Sequence, residues 1–167
     1  LFLQGDTEIP SVDMLIFTLR KCRKEKNLTY ARRVQTIAYE TGLDSHDVLG
    51  NFAVPMFVEC GSIEDARKLF DDLPDRNVVT WNALMDAHVQ SGKGDEALRI
   101  FKLMKIEGFN PDQGTYVSAL GGCAIIRDLS EGRLTHMCII LDGLRSEILE
   151  GALMNMYGRC GSLDDAK

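Results

Sequence analysis

The chain has 167 residues, of which 45% are hydrophobic and 26% charged, with a formal net charge of −6 at pH 7. That is an ordinary globular composition, with no run of about 18 apolar residues to span a membrane, and its acidity argues against a purely electrostatic grip on nucleic acid. The five cysteines contain no C-x-x-C pair and the histidines (His46, His88 and His136) are scattered, so neither a metal site nor a disulfide framework is expected.

Taken from the amino end, residues 1–11 read as the tail of a preceding structural unit. Val12 to Arg23 and Leu28 to Glu40 are expected to form a helical pair, and Val48 to Glu59 and Ile63 to Asp72 a second. Pro55 falls inside the third helix and is expected to kink it or shift its start. Asn77 then precedes Val78-Val79 as a helix start signal. Trp81, Leu84, Met85 and His88 follow at i, i+3, i+4 and i+7, one stripe of an amphipathic helix. The stripe ends at Ser91-Gly92-Lys93-Gly94, where both glycines are expected to turn the chain. A second helix from Asp95 carries Ala97, Phe101 and Met104 and closes at Gly108, before Pro111. Gly114 to Ile126 with Ser130 to Leu141, and finally Leu149 to Arg159, complete the series. Acidic pairs at Glu64-Asp65, Asp95-Glu96 and Asp164-Asp165 sit where first turns favour negative charge.

These helices repeat. Cys60-Gly61-Ser62-Ile63-Glu64-Asp65-Ala66-Arg67 returns as Cys160-Gly161-Ser162-Leu163-Asp164-Asp165-Ala166-Lys167. Ala31, Ala66, Ala97, Gly132 and Ala166 share one slot, at spacings of 35, 31, 35 and 34 residues when their numbers are subtracted. Hairpins this short bury their apolar faces only against neighbours, so the fold class is all-α, a right-handed α-solenoid or superhelix of stacked helix-turn-helix repeats. The expected units are 12–46, 47–77, 78–112, 113–146 and a truncated 147–167, within one solenoid domain. The chain opens without Met and stops early in a helix, so a piece of a longer protein is expected, in which any targeting segment would lie upstream.

In register, Asn77-Val78-Val79-Thr80-Trp81-Asn82-Ala83-Leu84-Met85 through Gly108-Phe109-Asn110-Pro111-Asp112 resembles the standard repeat of the pentatricopeptide-repeat family. Asp47 to Asn77 resembles its short repeat, and Val12 to His46 and Gln113 to about Ser146 its long one. The order long, short, standard, long, short resembles the plant PLS subfamily, whose members mostly direct cytidine-to-uridine editing of organelle transcripts. The resemblance implies single-stranded RNA as partner, one base per repeat, read by two or three side chains. It also implies location in a mitochondrion or chloroplast, with no cofactor and no membrane. Carried onto this sequence, the base-reading residues are Asn51 and Asn77, which resemble a cytidine-preferring pair, and Asn82 and Asp112, which resemble a uridine-preferring pair. Val48 and Val79 are the walls on which bases stack. The expected order along RNA is C then U.

Other positions depart from that pattern. Ile16 and Val117 occupy the reading slot of the long units and cannot hydrogen-bond a base edge. Gly151 or Ala152 fills it in the last unit, depending on where one residue was lost between about Gly143 and Cys160. From Val12 to His46 seven Lys/Arg face four acids, a net of +3, and Arg20, Lys21 and Lys24 are candidate phosphate contacts; a solvated helix end would need no such role. Asn77 and Asp112 can equally cap helices without touching RNA. A second reading remains open, a scaffold that accepts a protein. The H-x-E…P-C-x-x-C deaminase signature is absent, so no enzyme is expected in this stretch. If the parent protein edits RNA, the deaminase lies beyond Lys167 or comes from a protein partner acting as editing cofactor.

Overall fold

A computed structural model describes residues 10–43 and 47–162. Among them are nine α-helices and no strand: α1 Val12–Glu25, α2 Leu28–Glu40, α3 Asp47–Glu59, α4 Ile63–Asp72, α5 Val78–Gln90, α6 Gly94–Ile106, α7 Gln113–Ile126, α8 Leu129–Leu141 and α9 Glu147–Arg159. They fall into two compact units, Leu1–Arg76 and Asn77–Lys167, each with its own core. The His46 slot, residues 1–9 and the Asp164-Asp165 pair lie outside the described residues.

Within each unit the helices pair as antiparallel hairpins, and each first helix also packs on the first helix of the next hairpin: α1 on α3, α5 on α7, and α7 on α9. This is a solenoid arrangement, in which no hairpin could bury its apolar face alone. The stripe expected on α5 is core: Trp81, Leu84 and Met85 are fully buried and His88 nearly so. Trp81 packs against Phe109 with ring centroids 5.8 Å apart. Ala97 is fully buried, and Phe101 meets Tyr116 of α7 edge to face at 5.8 Å. Second helices are also joined at their surfaces, by Arg32 to Asp65 at 2.7 Å and Lys102 to Glu131 at 2.7 Å. Such exposed pairs contribute little, and burial dominates.

Local chemistry explains where the helices start and stop. Ser11, Asn27, Ser62, Asn77, Asp112, Asp128 and Ser146 each accept a backbone N–H of the first turn they precede. The acidic pairs Glu64-Asp65 and Asp95-Glu96 occupy first turns, as expected. The cysteines are all free thiols, with Cys22 and Cys123 fully buried at helix contacts. Burial is the first cause that pushes the Cys123 thiol up to about 11.

One of the two outcomes expected of Pro55, and the turn expected at Gly94, need correction. Helix α3 runs unbroken from Asp47 to Glu59 with Pro55 inside it, so the start is not shifted past the proline. Pro55 forfeits one intrahelical hydrogen bond, but Ala53, Val54, Met56 and Phe57 around it are buried and their packing holds the helix together. Gly94 does not turn the chain. The left-handed residue is Gly92, at φ 72°, whereas Gly94 is the buried first residue of α6. A Cβ there would lie 2.5 Å from the Gly122 carbonyl oxygen, so this glycine serves the close crossing of α6 and α7.

Candidate functional site

In the second unit the residues expected to read a base come together. Asn82 projects from α5 and Asp112 caps α7, and the Asn82 amide Nδ2 donates to Asp112 Oδ1 at 2.9 Å. Thr115, fully buried on α7, completes the cluster. Its hydroxyl lies 2.6 Å from Asn82 Oδ1 and 2.9 Å from Asp112 Oδ1, with one proton to give. Its N–H donates to Asp112 Oδ1 at 2.9 Å, and the Asp112 N–H donates to its Oγ1 at 3.1 Å, forming a capping box.

The charge state follows from these contacts. Partial burial of the Asp112 carboxyl opposes ionisation. Hydrogen bonds from the Thr115 N–H, the Asn82 amide, the Thr115 hydroxyl and the Gly114 N–H outweigh it and hold the group below the usual carboxylate range. An ionised Asp112 accepts only, so the Asn82 nitrogen must face it and the Asn82 oxygen must face Thr115. Asn82 therefore keeps its second N–H and part of its carbonyl capacity, one donor beside one acceptor. Val79, three residues earlier on α5, is 61% exposed and offers an apolar surface next to this polar pair. Gly114 leaves the other flank open: a Cβ there would stand 3.2 Å from Asn82 Nδ2 and 3.3 Å from Asp112 Oδ1.

The remaining expected residues are placed as follows. Asn77 is exposed and caps α5, its side chain accepting from Thr80 N–H at 3.0 Å in a second capping box. Only its oxygen is used there, so the NH2 group is not consumed by the cap. Asn51, in the first unit, donates from Nδ2 to the Asp75 carbonyl oxygen at 3.1 Å. The side chain of Val48 lies outside the described residues. Arg20 stacks its guanidinium over Phe52 at 4.9 Å, Lys21 sits 4.0 Å from Glu25, and Lys24 is exposed. Ile16 is buried and Val117 half-buried, neither with a polar group to offer. Ser146 caps α9, so Gly151 stands five residues after a cap just as Asn82 and Val117 do. The turn from Gly143 to Ser146 is one residue shorter than that from Gly108 to Asp112, which locates the lost residue.

Thr115 and Thr80 were missed in the sequence. Their signal was present as Asn77-x-x-Thr80 and Asp112-x-x-Thr115, the spacing of a capping box whose third helical residue reaches back to the cap.

The PPR repeat family model matches residues 76–125, the stretch that contains this cluster. A mitochondrial pentatricopeptide repeat-containing protein of Arabidopsis thaliana is 36% identical over 118 residues, covering 70% of this chain and 17% of its own length. A chloroplastic one from the same plant is 34% identical over 158 residues, covering 94% of this chain and 20% of its own length. The chain belongs to the pentatricopeptide-repeat family. Its backbone is similar to the crystal structure of the maize pentatricopeptide repeat protein PPR10, with a TM-score of 0.76 at 22% identity over 94% of this chain and 23% of that one. PPR10 in complex with an 18-nt psaJ RNA element is similar as well, with a TM-score of 0.75 at 19% identity. The chain thus spans only about a fifth of these pentatricopeptide-repeat relatives.

Proposed function

We propose that this stretch of pentatricopeptide repeats binds single-stranded RNA in a sequence-specific way, one base per hairpin, within an organelle protein. The observation that carries it is the Asn82–Asp112–Thr115 cluster beside exposed Val79. Uracil's pairing edge carries an N–H between two carbonyl oxygens, so a fixed donor next to a fixed acceptor matches it, while Val79 covers the base face. Asn82 with Asp112 is assigned to U, and Asn51 with Asn77 to C on its 5′ side. Relatives named as mitochondrial and chloroplastic support an organelle address, and a PPR10 structure containing an RNA element supports RNA as ligand. The order of long, short and standard units resembles that of editing factors, so the transcript is assigned to C-to-U editing, with the catalytic step on another domain or a partner protein. Arg20, Lys21 and Lys24 are assigned to phosphate.

The test is a fluorescence-anisotropy titration of the chain with oligonucleotides that differ at one base. Asn82→Ser should change preference at the U position alone, and affinity should fall linearly in log–log form with added salt. Unchanged base preference in Asn82→Ser sinks the assignment. The net charge of −6 favours one rival, a protein-binding scaffold, for which no salt-dependent oligonucleotide binding would be seen.

A further inference from the structure

One turn beyond Asn82 on α5 is a polar pair that the base-reading cluster does not use. Asp86 is exposed, and its Oδ1 accepts a hydrogen bond from the Ser118 hydroxyl of α7. Ser118 is 3% exposed, and its Oγ also lies 3.0 Å from the Gly114 carbonyl oxygen. With one proton to give, the hydroxyl favours the carboxylate, the stronger acceptor. Val79, Asn82 and Asp86 stand at i, i+3 and i+7, so wall, edge reader and carboxylate share one face of α5.

A carboxylate on a face that meets a polyanion repels phosphate. It welcomes only a neutral donor. Uracil has no exocyclic amine, and its single N–H is engaged at Asn82. The one donor left on a uridine is its ribose 2′-hydroxyl. Side chains four residues apart on a helix have Cβ atoms about 5–6 Å apart, comparable to the reach from a pyrimidine's pairing edge to its ribose. We infer that Asp86, positioned by Ser118, recognises the ribose 2′-hydroxyl of the nucleotide seated on Val79 and Asn82. This rests on the RNA reading above.

The device belongs to one nucleotide. The matching position is Arg20 in α1, Pro55 in α3, Gly121 in α7 and Asn155 in α9, none of them a carboxylate. Asp86 therefore selects RNA over DNA at the U position and directs the phosphates away from this turn of α5. Ser118 is a positioning residue, too buried to touch the ligand itself.

The experiment compares the full chain, wild type and Asp86→Ala, on an all-ribose oligonucleotide and on one with a single 2′-deoxyuridine at the U position. Removing the 2′-hydroxyl should weaken wild-type binding roughly tenfold, the loss of one charge-assisted hydrogen bond. It should leave Asp86→Ala almost unaffected, and Ser118→Ala should fall between. Base preference at the U position should be retained in both variants. A merely structural Asp86 would lower affinity for both oligonucleotides equally, and that equal loss overturns the inference. So does a wild-type chain indifferent to the 2′-hydroxyl while still preferring U, in which case base reading survives. A wild-type chain with no base preference removes the RNA reading and this inference together.

Discussion

Thr115→Val tests the central cluster. Valine matches threonine in shape, so the fully buried site is neither emptied nor overfilled. Two hydrogen bonds are lost: the one from the hydroxyl to Asn82 Oδ1 at 2.6 Å, and the one it accepts from the Asp112 N–H at 3.1 Å. Asn82 is half-buried and Asp112 exposed, so water recovers part of each bond. At about 1 kcal/mol net per bond the cost is about 2 kcal/mol. For a chain of this length that lowers the melting temperature by about 4–8 °C. Circular dichroism melts supply the first readout, and the oligonucleotide titration the second. With its oxygen no longer held, the Asn82 amide keeps only the bond from Nδ2 to Asp112, so it is less firmly fixed and preference for U should slacken by more than overall affinity falls. Thr115→Ser keeps the hydroxyl and should stay near wild type in base preference. A Thr115→Val protein that melts within about 1 °C of wild type and keeps its preference would refute the argument that this hydroxyl orients the pair.

Three further outcomes are expected. Gly94→Ala should destabilise the second unit by about 1–3 kcal/mol, because its Cβ would meet backbone at 2.5 Å where no side chain can swing aside; a melt checks it. Arg127→Gly should raise stability by about 0.5–1 kcal/mol, since Arg127 holds a left-handed φ of 57° that glycine adopts without strain, and denaturant midpoints measure it. The Asp112 carboxyl is held low in the folded state, so its contribution is complete above the unfolded value of about 3.9 and is lost as pH falls through the lower folded value. The stability gap between wild type and Asp112→Asn should accordingly narrow in melts below about pH 4.

Much of the fold is written along the chain. The recurrence of Cys60 to Arg67 at Cys160 to Lys167, the alanine slot and the α5 stripe together demand stacked hairpins, because apolar residues at helical spacing must be covered and no single hairpin covers its own. Helix starts were legible in part, since Asn77 and Asp112 advertise caps through short-range chemistry alone. Asn82 and Asp112 were legible as a pair through their place in the repeat.

Tertiary structure decided the rest, for reasons that act across helices. Pro55 stays inside α3 because neighbouring buried side chains outweigh one missing hydrogen bond, a balance that local propensity does not contain. Gly94 looks like a turn residue in sequence, and only the crossing with Gly122 makes it a packing residue. The rotation of the Asn82 amide depends on Asp112 and Thr115, 30 and 33 residues away. Asp86 and Ser118 have no shared sequence signal at all. Their hydrogen bond exists only because α5 and α7 lie side by side, which brings a buried hydroxyl of one helix under an exposed carboxylate of the other.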